Sequence, residues 1–304
     1  MLLANKIPIR FIYKSVRADV LRVMAFSVSF HLIKNFVIDP LPVVPTALPT
    51  ILGTAISLLL GFNVNQSYER WWEARKIWGS IVNDSRSLVL QLQAFVTIPD
   101  DKPEFARGMI SRMALRQIAW CYALACSLRG QEPLAHVEPS LLSDEERRAI
   151  TEQANVPLAL AQHHATDIRI LRKVELVNPY QQVQLDETLV RLVASMGMAE
   201  RIKKTVFPTT YRVFVHYFVY LFLIVLSLAL VETVGVAEIP ILVVIAASFF
   251  MIETTARQLQ DPFENEPHDT AMLSISRTIE INLRQLIGES EIPPPYPAER
   301  FYIM

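Results

Sequence analysis

The chain has 304 residues, 52% of them hydrophobic, and a formal net charge of −1. The near-zero charge argues against a nucleic-acid partner. The small excess over a usual apolar share of roughly 45–50% predicts a protein that lies only partly in a membrane. The two cysteines, Cys121 and Cys126, are five residues apart, a spacing that fits neither a CxxC redox site nor a zinc site, so we expect two buried free thiols.

Four apolar segments are predicted to cross the membrane. The first carries His31 and Lys34 and is short for the roughly 20 residues that a bilayer requires. The second is uncharged over residues 43–62, and the third has His216 as its only ionisable group over residues 213–231. The predicted division of the chain is 1–22 (N-terminal cytosolic segment), 23–38 (first span), 43–66 (second span), 67–210 (cytosolic helical domain), 211–232 (third span), 234–256 (fourth span) and 257–304 (C-terminal cytosolic segment).

Loop charges predict the orientation of these spans. Basic residues precede the first span and occupy both ends of the long segment between the second and third spans. The two short links, between spans one and two and between spans three and four, contain no Lys or Arg. Because positively charged loops stay in the cytoplasm, we expect four crossings with both termini and the long segment on the cytoplasmic side.

The long segment is predicted to be helical throughout. Apolar residues recur at three- and four-residue spacing over 79–96 and 106–130, which is typical of amphipathic helices. Ser143 is followed three residues later by Glu146, a spacing that predicts a capping box at a helix start. Together with the four spans, this pattern predicts an all-α membrane protein with a large helical cytosolic region.

Motifs of enzyme chemistry are absent from the sequence. We find no GxGxxG, Walker loop, HExxH or GxSxG pattern. His163, His164 and Asp167 are the nearest approach to a metal site, since His163 and Asp167 are one helical turn apart. The same spacing is common on a solvated helix face. The sequence therefore favours permeation or scaffolding over catalysis, and a metal enzyme remains the weakest alternative.

The second span has a distinct helical face. Thr54, Leu58, Phe62 and Gln66 recur at four-residue spacing and fall on one side of a helix. One interpretation is a helix packed in a bundle. The other is a pore wall, in which copies from several subunits form a narrow apolar constriction above a wetted region; such constrictions gate by dewetting. The periodicity alone leaves both open.

An acidic turn is predicted after the fourth span. Pro262 and Pro267 interrupt the helix, and carboxylates crowd the sequence around Glu266 and Asp269. Clustered carboxylates and freed backbone carbonyls suit a hard cation such as calcium, although the spacing is not that of an EF-hand. The alternative is a solvated acidic turn that joins two helices. We treat a divalent cation here as possible and do not predict a cofactor.

The stretches LLGFNVNQSYERWWEARKIWG (59–79), ERIKKTVFPTTYRVFVHYFVYLF (200–222) and LQDPFENEPHD (259–269) resemble the bestrophin family, in its bacterial branch. The resemblance runs over nearly the whole chain, with the segments in the same order. It implies a homopentameric ion channel around one axial pore, with four membrane helices per subunit, in a bacterial inner membrane. Its partners would be copies of itself, membrane lipid and the permeant monovalent ions.

The resemblance also implies roles for individual residues. The pore neck maps to Thr54, Leu58 and Phe62, where Thr54 departs from the branched apolar residue usual in the family. The cytosolic aperture maps to Tyr180, and Gln66 is expected in the vestibule below the neck.

In eukaryotic members the acidic turn helps to bind calcium, and its side-chain ligands map to Glu266 and Asp269. The family name suggests chloride, and cation selectivity stays open because the neck carries no charge. A non-conducting scaffold that binds a partner through its cytosolic helices is the alternative function.

Overall fold

The structure, a computed structural model, describes residues 8–37, 44–205, 208–298 and 302–303. The end of the predicted first span and the start of the second, residues 38 and 43, lie outside the described residues. Within the described ranges there are nine α-helices and no β-strand, which confirms the all-α prediction. The helices are α1 (Ile9–Val37), α2 (Ala47–Phe95), α3 (Pro103–Leu128), α4 (Asp144–Thr151), α5 (Val156–Lys173), α6 (Pro179–Lys204), α7 (Thr209–Val234), α8 (Glu238–Gln260) and α9 (Met272–Leu286).

Side-chain hydrogen bonds cap the N-termini of α6 and α4. At the start of α6, the Asn178 side chain accepts from the Gln181 backbone N–H at 2.9 Å, and the Gln181 side chain accepts from the Asn178 N–H at 2.7 Å. At the start of α4, Ser143 accepts from the backbone N–H of Glu146 at 3.2 Å, as predicted. The Glu146 side chain, however, forms a buried ion pair with Arg116, so its carboxylate does not complete the capping box.

The chain divides into two compact units. The first, here the four-helix unit, contains α1, α2 as far as Trp71, α7 and α8. Its core joins buried residues of all four helices: Val16, Val23, Ile56, Leu60, Val215, Val219, Phe222, Leu223, Leu242, Ala246 and Phe250. The second unit, here the helical body, contains α2 from Trp72, together with α3 to α6 and α9.

The helical body is built around α3. Every residue from Arg116 to Cys126 is buried, as expected for a helix that is surrounded on all sides. Within it the Tyr122 hydroxyl donates to Glu280 of α9 at 2.7 Å. Both cysteines are free and buried, as the sequence predicted.

Two described helical stretches are long and apolar enough to cross a membrane, Ala47–Phe95 and Thr209–Gln260. The second stretch comprises α7 and α8 with the 3-10 turn Gly235–Ala237 between them. Helix α8 therefore begins four residues after the predicted start of the fourth span and continues to Gln260, because Gly235 adopts a positive φ of 56° that ends α7.

Candidate functional site

One face of α2 is left uncovered in the four-helix unit. Ile56 and Leu60 are buried at 4% and 1% exposure, whereas Leu58 and Phe62 are 62% and 64% exposed. Thr54 is exposed as well. Each residue of an α-helix is rotated by about 100° from the last, so the packed and exposed residues lie on opposite sides. The predicted neck residues thus share an open helix face.

Contacts with α7 set the orientation of α2. The Tyr211 hydroxyl donates to the Leu59 carbonyl oxygen at 3.1 Å. Farther along the same pair, a Cβ on Gly53 would come within 3.0 Å of the Phe222 ring, so the absence of a side chain lets the ring lie against the helix backbone. These two contacts fix which side of α2 is packed and leave Leu58 on the opposite side.

The Thr54 hydroxyl offers no hydrogen-bond donor to the exposed side of α2. Its hydroxyl donates to the Thr50 carbonyl oxygen at 2.9 Å, and Ser57 donates to the Gly53 carbonyl in the same way at 2.7 Å. Because its only proton is engaged within the helix, the Thr54 hydroxyl presents acceptor lone pairs and a methyl group outward. It has no donor left for an anion.

Below Phe62, the exposed face does not continue through Gln66 alone. Four-residue steps drift by about 40° each around an α-helix, so Asn65 lies closer than Gln66 to the line of Leu58. Both are exposed, and the Asn65 amide donates to the carboxylate of exposed Glu69 at 3.2 Å. The sequence analysis did not name Glu69, which 100° spacing in place of four-residue counting places on this face.

Tyr180 stands at the start of α6, one residue after the helix begins. The capping box of Asn178 and Gln181 holds this first turn, and the Tyr180 side chain is 85% exposed. Val183 and Val190 of the same helix are 61% and 65% exposed. The predicted aperture residue is therefore held on a well-capped helix terminus and points away from the core of the helical body.

The acidic turn after α8 places its two candidate calcium ligands in different surroundings. Glu266 is exposed, whereas Asp269 is fully buried and its Oδ2 accepts from the Glu266 backbone N–H at 3.1 Å. Burial raises the pKa of Asp269 to about 6, although Arg129 and nearby backbone N–H groups favour its charged form. The two candidate ligands thus differ in exposure, and the calcium assignment stays a prediction. In the described part of the chain, no group of three or more His, Cys, Asp or Glu side chains is arranged to hold a metal ion.

The contacts of His163, His164 and Asp167 do not support a metal site. Asp167 receives Arg112 at 2.5 Å and Arg116 at 2.7 Å, so its oxygens neutralise two guanidinium groups. Nδ1 of His163 lies 3.2 Å from Glu146. His164 is completely buried, and burial together with the Arg116 charge keeps the pKa of its imidazole well below the usual value. His163 and Asp167 thus belong to an ion-pair network between α3, α4 and α5, and His164 is buried beside it.

Comparison with known families adds independent information. A family model for bacterial and fungal bestrophin proteins matches residues 9–285. The voltage-dependent anion channel-forming protein mll4386 of Mesorhizobium japonicum is 30% identical over 252 residues, which cover 83% of this chain and 78% of that protein. The voltage-dependent anion channel-forming protein YneE of Escherichia coli K12 is 32% identical over 253 residues, covering 83% and 80%.

Solved structures show the same fold. The crystal structure of a bacterial bestrophin homologue from Klebsiella pneumoniae is similar with a TM-score of 0.80 at 26% sequence identity, over 92% of this chain and all of that chain. A variant of that homologue with the mutation Y211A is similar with a TM-score of 0.79 over 91% of this chain.

Proposed function

This chain belongs to the bacterial and fungal bestrophin family, and on that basis we propose that it forms a homopentameric anion channel in a bacterial inner membrane. The relatives named above are channel-forming proteins rather than enzymes. In the proposed assembly α1, α2, α7 and α8 cross the membrane, and both termini and the helical body are cytoplasmic. Basic residues near the N-terminus, and two links without Lys or Arg, support this orientation.

The exposed face of α2 is the observation that carries the proposal. On a membrane helix an exposed apolar line faces either lipid or a passage, and the polar continuation of this line through Asn65 and Glu69 favours the passage. Five copies around an axis would bring these side chains together as apolar rings. We propose Thr54, Leu58 and Phe62 as the neck, Asn65 and Gln66 as its wetted continuation, and Tyr180 as the cytosolic aperture. An apolar neck gates by dewetting, because water leaves a narrow apolar passage when it contracts.

The sign of the permeant ion is the second part of the proposal. The names of the relatives favour anions. The neck itself carries no charge, so sign selection must come from groups beyond it. Glu69 is the observation that favours cations, since its carboxylate is exposed on the same side of α2. We therefore propose anion conduction with Glu69 acting against it, and cation conduction as the second candidate.

The proposal is tested by reconstituting purified protein in planar bilayers under a salt gradient. A steady current with a reversal potential near the chloride equilibrium potential supports an anion channel, and one near the potassium potential supports the second candidate. The absence of current in both directions, from protein that is folded and pentameric, supports the scaffold alternative and refutes conduction.

Leu58→Ala tests the neck. Truncating an exposed side chain changes the free energy of unfolding little, within about 0.5 kcal/mol, while it widens a ring made from five copies. We expect a larger conductance and a longer open time. Val244→Ala on α8 is the matched control, because Val244 is 66% exposed and outside the proposed pore. Equal conductance in the two variants would contradict the neck assignment.

Tyr180→Ala tests the aperture separately. The Tyr180 side chain is exposed, so its removal leaves the helical body intact, and we expect a changed conductance or ion preference without loss of the protein. Val190→Ala on the same helix serves as the control, since Val190 is 65% exposed and lies nearly three turns away. If Tyr180→Ala has the conductance and ion preference of the wild type, the assignment of the aperture to Tyr180 is wrong.

A further inference from the structure

The outer face of α1 carries one continuous exposed stripe. Its members are spaced by three or four residues and therefore lie in a line along the helix. The buried side is equally regular, with Val16, Val23 and Ser27 at 5%, 2% and 0% exposure. The exposed stripe consists of Arg10, Lys14, Arg17, Leu21, Met24, Val28 and Leu32.

The stripe changes character at a single point. Its first three members are cations and its last four are apolar, with Leu21 and Leu32 48% and 51% exposed. Residues 17 and 21 are separated by roughly 6 Å along the helix axis. No residue interrupts α1 at this border, because one helix runs from Ile9 to Val37. The border is therefore an abrupt change of surface chemistry on a rigid rod.

The basic half of the stripe is available for an external anion. Within the described part of the chain, none of Arg10, Lys14 and Arg17 takes part in an ion pair. The other cations of α1 are engaged: Arg22 pairs with Asp19 at 2.6 Å and Lys34 pairs with Glu232 at 3.2 Å. Three cations thus lie within roughly 10 Å of helix, and no acidic side chain among the described residues pairs with them.

We propose that this stripe binds anionic phospholipid of the cytoplasmic leaflet, with phosphate groups on Arg10, Lys14 and Arg17 and acyl chains along Leu21 to Leu32. Charge complementarity identifies the headgroup, because anionic lipids attract basic segments that lie at the membrane surface. The apolar continuation on the same line identifies a lipid rather than a soluble anion. The inference rests on the membrane insertion proposed above and goes beyond conduction.

The test measures lipid binding directly, by native mass spectrometry of the oligomer in uncharged detergent. Phosphatidylglycerol is compared with phosphatidylcholine of the same acyl chains, and with inorganic phosphate alone. Each cation near an anionic surface contributes roughly fivefold in affinity, so three contribute on the order of 100-fold. We expect the variant R10Q/K14Q/R17Q to lose most of this preference for phosphatidylglycerol and to keep its binding of phosphatidylcholine.

The matched control is R148Q/R169Q/K173Q, which removes three exposed cations from α4 and α5 of the helical body. It should bind phosphatidylglycerol as the wild type does. The inference is overturned if the wild type binds both lipids equally, if the stripe variant keeps the preference, or if inorganic phosphate competes fully.

Size-exclusion chromatography with light scattering is run on the same samples. A stripe variant that falls apart into monomers would assign these residues to a contact between subunits and also overturn the inference. A wild type that prefers phosphatidylglycerol through the stripe but carries no current would refute the proposed channel function and leave the lipid site standing.

Discussion

Replacement of Glu69 gives the sharpest test of the proposed permeation path. In a homopentamer, Glu69 places five negative charges around the axis on the exposed side of α2. Glu69 is seven residues beyond Phe62, which corresponds to roughly 10 Å along the helix axis. Glu69→Gln removes all five charges and keeps the side-chain length and the acceptor for the Asn65 amide.

The size of the effect follows from Coulomb's law. Two unit charges at about 10 Å in water interact by about 0.4 kcal/mol, so five carboxylates act on an ion at Phe62 with about 2 kcal/mol. At 0.1 M salt the Debye length is about 10 Å, which leaves about 0.8 kcal/mol. That energy is roughly a factor of four in the local concentration of each ion, in opposite directions for anions and cations. We therefore expect Glu69→Gln to raise the anion-to-cation permeability ratio on the order of tenfold.

The assay is the reversal potential in a planar bilayer under a tenfold salt gradient. Glu69→Gln should shift it toward the chloride potential, and Glu69→Lys should shift it farther in the same direction. Both shifts should shrink at 1 M salt, where screening is stronger. Glu145→Gln, which removes an exposed carboxylate from α4, is the control. If Glu69→Lys and the wild type have the same reversal potential, this face of α2 does not line the permeation path.

Three further predictions concern single side chains. Thr54→Val should leave ion preference unchanged, because the hydroxyl proton is already engaged within α2; a shifted reversal potential would contradict this. Arg116→Met should lower the free energy of unfolding by about 3–5 kcal/mol, since it leaves buried Glu146 and Asp167 without their shared cation; a thermal midpoint in detergent near that of wild type would contradict it. Asp269 has a pKa raised to about 6 by burial, so its folded form binds a proton more readily than the unfolded chain, and stability is lost as the pH rises through 6. Lowering the pH from 7.5 to 4.5 should therefore stabilise wild type relative to Asp269→Asn by about 2 kcal/mol, and parallel pH profiles of the two midpoints would refute the burial argument.

The acidic turn shows where reasoning from sequence stopped. Glu266 and Asp269 are three residues apart in an acidic turn, and that spacing alone is compatible with a shared cation. The folded turn buries Asp269 and exposes Glu266, because the Asp269 carboxylate accepts backbone N–H groups of the turn itself. Which carboxylate turns inward is decided by the hydrogen bonds that the local backbone leaves unsatisfied, and the sequence does not record these.

The sequence by itself determined the all-α class, the apolar segments and the helical face that contains Thr54, Leu58 and Phe62. Hydrophobic periodicity follows directly from the geometry of a helix, so it survives without a tertiary structure. Only the tertiary structure decided that this face is the exposed one, because exposure depends on partners that are distant in sequence. Tyr211 and Phe222 of α7 contact the opposite side of α2. The face with Thr54, Leu58 and Phe62 is therefore exposed, although its sequence pattern was equally compatible with a packed helix.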